Sequence, residues 1–112
     1  MTLNFSVMFE DTETARVSLG DNKYFDVQLL TEDKYTHPFF IMPTDYDYIV
    51  DWLDSRSVDR ERSDLEDILN RLGVKEYDTI EILRKTHGVS YDDPMWVRFE
   101  GETVTWNDVR VK

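Results

Sequence analysis

Apolar residues recur at every second position through Leu3, Phe5, Val7 and Phe9, a period that predicts a half-buried strand. Glu10-Asp11-Thr12 reads as a turn, and the alternation resumes with Ala15, Val17 and Leu19. Gly20-Asp21-Asn22 supplies the next reversal, and residues 24–30 supply a third strand. Connections this short and polar suit an antiparallel meander, because parallel crossovers need a dozen residues or more. Phe39-Phe40-Ile41-Met42, between Pro38 and Pro43, fits either a strand end or a buried connector.

Further along, the period lengthens. Tyr46, Ile49, Val50 and Leu53 predict a helix, with Thr44 and Asp47 spaced as a capping-box variant at its start. A second helix is expected from about Asp59, with Leu65, Ile68, Leu69 and Leu72 on one face and Gly73 at its end. Tyr77, Ile80, Ile82 and Leu83 suggest a third that ends near His87-Gly88, with a turn at Tyr91-Asp92-Asp93-Pro94. Trp96-Val97-Arg98-Phe99 and Thr103-Val104-Thr105-Trp106 flank Glu100-Gly101-Glu102 and read as a closing hairpin, with Trp96 and Trp106 packed together across it. The expectation is one α+β domain over 1–112: an antiparallel sheet, made of an N-terminal meander and a C-terminal hairpin, with two to three helices on one face.

Composition narrows the chemistry. Without cysteine there is no disulfide, no thiolate metal site and no thiol nucleophile, which fits a reducing cytoplasm. Four glycines form no phosphate-binding loop, and His37 and His87 stand at no metal-ligand spacing. Asp92-Asp93 lacks the ligand pattern of a calcium loop and reads as a turn. No segment has the length of a membrane span or the layout of a secretory signal. We therefore expect a non-enzymatic, cytoplasmic protein without cofactor or metal.

Twenty-four acids against thirteen bases give a formal charge of -11, and residues 43–93 hold fourteen of those acids against seven bases. Such a field repels nucleic acid and anionic lipid and favours basic protein surfaces. Asp47, Asp51 and Asp54 share a face of the first predicted helix, opposite its apolar stripe. Like charges at that spacing cost a helix about 0.2–0.5 kcal/mol per pair, so a role outside folding is the sharper reading. Their rise of about 6 Å presents charge at roughly half the density of a nucleic-acid strand. The ordinary reading is that Asp45 and Asp47 cap the helix and the rest is a solvated face. Tyr48 and Trp52 flank the row and are the apolar anchors expected if it binds a partner, with Trp52 preferred, while simple core packing is the more ordinary role of such residues. On the second helix, Arg60 with Asp64 and Asp67 with Arg71 look self-satisfied.

Arg56-Ser57-Val58, His87-Gly88-Val89-Ser90-Tyr91, the stretch from Asp93 to Trp96, and Trp106-Asn107-Asp108-Val109 carry a resemblance. Residues 52–111 resemble the segment that precedes the kinase-like part of HipA-like proteins of bacteria and their mobile elements. The kinase-like part has no counterpart in those residues, so no catalytic residue is carried over. The resemblance implies a bacterial or phage-borne accessory protein built on a recognition or scaffold segment. By size and acidity alone the chain is also similar to small anti-CRISPR and DNA-mimic inhibitors. Two functions are thus expected. The first is inhibition of a host defence nuclease, such as a CRISPR effector, by occupying its basic nucleic-acid-binding surface without contacting nucleic acid or membrane. The second is a free-standing accessory or recognition module of a HipA-like toxin–antitoxin or kinase system. The sequence leaves the oligomeric state open.

Overall fold

A computed structural model describes residues 2–40 and 44–111. Strands β1 (Leu3–Phe9), β2 (Thr12–Leu19), β3 (Phe25–Leu29) and β4 (Met95–Phe99) form an antiparallel sheet in the order β3-β2-β1-β4. Helices α1 (Tyr46–Ser55), α2 (Leu65–Leu72) and α3 (Thr79–Thr86) come between β3 and β4, and a short α4 (Trp106–Val109) completes the chain order. The α+β class expected from the sequence is the one observed.

The period-two pattern places Phe5, Val7, Ala15, Val17, Leu19, Val97 and Phe99 in one buried cluster with Ile49 and Leu53 of α1 and Leu83 of α3. Each fully buried aliphatic of α1 contributes about 1.5–3 kcal/mol. α2 adds a second cluster, in which Leu69 and Val74 pack with Ile82 of α3. On the opposite sheet face Ser18 donates to Asn4 (2.7 Å), which donates to Glu100 (2.7 Å), and Arg16 donates to Glu13 (2.9 Å). Alternation thus separates an apolar face under the helices from a polar one. A register shift between Val7 and Met8 leaves Thr14 as an extra residue in β2, a bulge. Its buried hydroxyl lies within hydrogen-bond distance of the carbonyls of Val7 (3.1 Å) and Thr36 (3.0 Å).

Local expectations fail at four places. Asp45, rather than Thr44, caps α1, its carboxylate accepting from Tyr48 N–H (2.9 Å). α2 begins at Leu65 rather than near Asp59, because the charged residues 59–64 form turns. Asp64 pairs with Arg62 (2.9 Å) rather than Arg60, and Arg71 donates to the backbone carbonyl of Asp67 (3.4 Å) rather than to its carboxylate. Finally, the closing hairpin is absent: β4 pairs with β1, and residues 103–105 are not a strand. There a helix start prevails over β propensity, since the Asp108 carboxylate accepts from the N–H (2.8 Å) and hydroxyl (3.0 Å) of Thr105, opening α4. Trp96 is wholly buried and donates to the Glu10 carbonyl (2.8 Å), and Trp106 lies on α4. Of the run 39–42, Phe39 is buried and Phe40 exposed, while Ile41 and Met42 lie outside the described residues.

Candidate functional site

α1 exposes Asp47, Asp51 and Asp54 while burying Ile49 and Leu53, as its sequence period requires. The three acids differ in their surroundings. Lys23 Nζ reaches Asp47 at 3.1 Å, with both side chains about two-thirds exposed, so solvent leaves this pair worth about 0–1 kcal/mol. Asp54 accepts from the Thr79 hydroxyl and has Arg60 at 3.6 Å, whose guanidinium also lies over the Tyr77 ring. Asp51 has no hydrogen-bond or ionic partner among the described residues. The row is therefore discontinuous in charge: its two ends are drawn to cations of the same molecule and its middle is free.

Tyr48 and Trp52 are half-buried. Both meet the buried Phe39 edge-on, at ring-centroid distances of 6.5 and 6.1 Å, and the Tyr48 hydroxyl donates to the Pro38 carbonyl. They clamp residues 38–39 onto α1. Next to the row, a cavity of about 440 Å³ is lined by Leu3, Leu19, Val50 and Ile80 together with Asp54 and Arg60. Of the row, Asp54 lines this half-open, largely apolar cavity.

A second constellation lies where α1, α3 and β4 meet, and Arg56 is its centre. Just past the end of α1, the Arg56 side chain is only 10% exposed. Its guanidinium donates to both carboxylate oxygens of Asp93 (2.8 and 3.0 Å), to the Gly88 carbonyl (2.8 Å) and to the Met95 carbonyl (2.6 Å). A planar fork suits this bidentate pairing, which a lysine would not reproduce. Burial works to raise the Asp93 pKa, but the Arg56 hydrogen bonds and the Met95 N–H (2.9 Å) outweigh it and hold the carboxyl below its ordinary value. Gly88, in a left-handed conformation, allows the approach: a Cβ there would stand 3.1 Å from Arg56 Cβ.

The same region closes one side of the sheet. Outward-facing backbone groups of β4 are taken by Asp93 on Met95 N–H, by Arg56 on Met95 C=O, and by the His87 carbonyl on Val97 N–H (2.8 Å). Phe99 N–H donates to the Glu102 carboxylate (2.7 Å), and Phe99 C=O accepts from Glu102 N–H (3.1 Å). His87 Nε2 also meets Glu102 (2.9 Å). β4 is consequently an edge strand covered by side chains and loop.

No family model, no curated protein and no solved structure matches the chain.

The two histidines are explained by packing. His37 is buried and stacked on Phe39, and its Nδ1 accepts from Phe39 N–H (3.0 Å), with burial lowering its pKa. His87 takes a left-handed conformation at the end of α3. Among the described residues no group of three or more histidine and carboxylate side chains is arranged to hold a metal, and no helix is long and apolar enough to cross a membrane. In the sequence Arg56 and Asp93 stand out only within the motifs of the resemblance, and nothing there reveals their pairing. The one available signal was a lone arginine directly after an amphipathic helix, which periodicity cannot assign to the interior.

Proposed function

We propose that this chain is a non-enzymatic, acidic protein-binding module that serves as a free-standing accessory or recognition unit of a HipA-like toxin–antitoxin or kinase system. One observation carries the reading: the stretches that bear the resemblance, far apart in sequence, are neighbours around Arg56. Arg56 binds Gly88, Asp93 and Met95, the Trp96 ring meets His87 edge-on at 6.1 Å, and Trp106 with Arg110 shares a surface cleft with residues 90–94. Above this braced core stands Tyr91, 87% exposed. An exposed aromatic on a rigidly supported loop is the type of anchor that dominates binding at interfaces. The acidic surface would then steer the module toward a basic partner and keep it soluble.

Affinity capture of the tagged chain from a bacterial lysate tests this directly. A HipA-like protein should be recovered at both low and high salt, and Tyr91→Ala should lose it while unfolding at the same temperature as the parent. Unchanged capture by Tyr91→Ala would remove the reading. Trp96 is unsuited to the test because it is buried.

The exposed row on α1 favours a second reading, inhibition of a defence nuclease at its basic nucleic-acid groove, since Asp51 lacks a partner among the described residues in a chain of net charge -11. Here capture would yield a basic nuclease at low salt only, in competition with DNA. Combined Asp47→Asn, Asp51→Asn and Asp54→Asn should abolish it, and equal binding by that variant would discard the charge mechanism.

A further inference from the structure

The other edge of the sheet is bare. Leu30 N–H donates to Thr14 C=O and Gly20 N–H to Tyr24 C=O, each at 2.9 Å, so residues 24, 26, 28 and 30 turn their backbone groups toward β2. By antiparallel alternation, Phe25, Val27 and Leu29 direct theirs outward, and among the described residues β3 has no neighbouring strand on that side. Four of the seven exposed large apolar side chains among the described residues lie on this strand or directly beside it: Tyr24 (56%), Phe25 (39%), Leu29 (47%) and Leu30 (38%). No proline or bulge blunts it, as natural edges usually require.

The geometry points to a second copy of this chain as the occupant, added strand to strand through β3 to give one continuous antiparallel sheet about a two-fold axis at Val27. The strand is self-complementary in that register. Val27 faces its own counterpart, and Phe25 faces Leu29 of the second copy, so the residues with outward backbone groups all meet one another and pair apolar with apolar. Asp26, the one charge within 24–30, comes opposite Gln28 of the second copy. Centring the axis on Asp26 would instead set two carboxylates face to face, and centring it on Gln28 would set Asp26 against Leu30. At each end Tyr24 comes opposite Leu30 of the second copy, a further apolar pair. This surface is separate from the Arg56 region and does not depend on the function proposed above.

Two molecules of charge -11 repel, so association should tighten as salt screens them, the reverse of what binding to a basic partner would show. Sedimentation of the full chain over a wide concentration range should show the mass doubling, at lower concentration in 0.5 M than in 0.05 M sodium chloride. Leu29→Lys should shift that transition at least tenfold upward in concentration. Because the native chain has no cysteine, Val27→Cys provides an independent check. A hydrogen-bonded antiparallel pair has its Cα atoms about 5.5 Å apart, within disulfide reach, so mild oxidation should link Val27→Cys into a dimer. Asp26→Cys, which would face Gln28, should link far less. A monomer at every concentration and salt, with no cross-link at position 27, overturns the proposal and assigns the edge to an extended segment of some other protein. Equal cross-linking at 26 and 27 overturns the register.

Discussion

The two edges of the sheet are opposites. On β4 five outward backbone groups are met, by Asp93, Arg56, the His87 carbonyl and both ends of Glu102, whereas on β3 the outward groups of Phe25, Val27 and Leu29 meet no partner among the described residues. The difference lies in the segments that flank each strand. β4 is entered from a loop pinned by a nearly buried arginine and left through a turn that folds back on Phe99. β3 is flanked by short 3-10 turns, Asp21–Lys23 and Lys34–Thr36, that lay no segment along it. An edge strand is thus protected or available according to the loops around it, not to its own propensity.

The sharpest way to break the contrast is to open the closed edge. Asp93→Ala leaves the Arg56 guanidinium largely buried without its counter-ion, and should cost about 3 kcal/mol, the low end for a broken buried pair because Asp93 is about one-third exposed. Urea denaturation would read the loss, and one below about 1 kcal/mol would mean that the pair is not the brace described. Glu102→Ala should cost about 1–3 kcal/mol by stranding Phe99 N–H. Native-state amide exchange should speed up at Phe99 without a matching change at Val17. Gly88→Ala combines a positive φ with a tight approach to Arg56, so a loss of more than about 1 kcal/mol is expected.

Acid should reproduce the first of these effects. The folded Asp93 carboxyl titrates below 3.8, its ordinary value, so the unfolded chain takes up the proton first as pH falls. The stability it contributes is present above pH 3.8 and is lost as pH drops from there through the folded value. Comparing the parent with Asp93→Asn between pH 5 and 3 isolates that contribution, and parallel pH profiles would refute it. The smallest effect belongs to the open edge. Leu29→Lys, on an exposed side chain, should change the stability of a dilute sample by less than about 0.5 kcal/mol.

Much of the fold was legible because burial repeats with the period of its element. Phe5, Val7, Val17 and Leu19 announced the first strands, and Ile49 with Leu53, Leu69, and Leu83 announced the helices. The end of α2 at Gly73, with φ of 76°, was equally clear. The second arm of the hairpin misled because Thr103, Val104 and Thr105 carry strand propensity, while the capping pair Thr105 and Asp108 decided the local structure. The acidic row was legible as a face of α1 but not as a set of environments. Lys23 and Arg60 approach Asp47 and Asp54 only after the turn before β3 and the loop after α1 have folded.

By itself, then, the chain determined its α+β class, the antiparallel sense of its first strands, the inward faces of its helices and its strongly negative charge. Each of these comes from residue type and short-range spacing, which act before distant segments meet. Tertiary structure alone decided that Asp51 has no partner among the described residues while its neighbours are engaged, that Arg56 is nearly buried against Asp93, 37 positions away, and that one sheet edge is largely covered and the other open. Such outcomes depend on hydrogen-bond and ionic partners brought together by packing, and a partner's arrival leaves no periodic trace in the sequence.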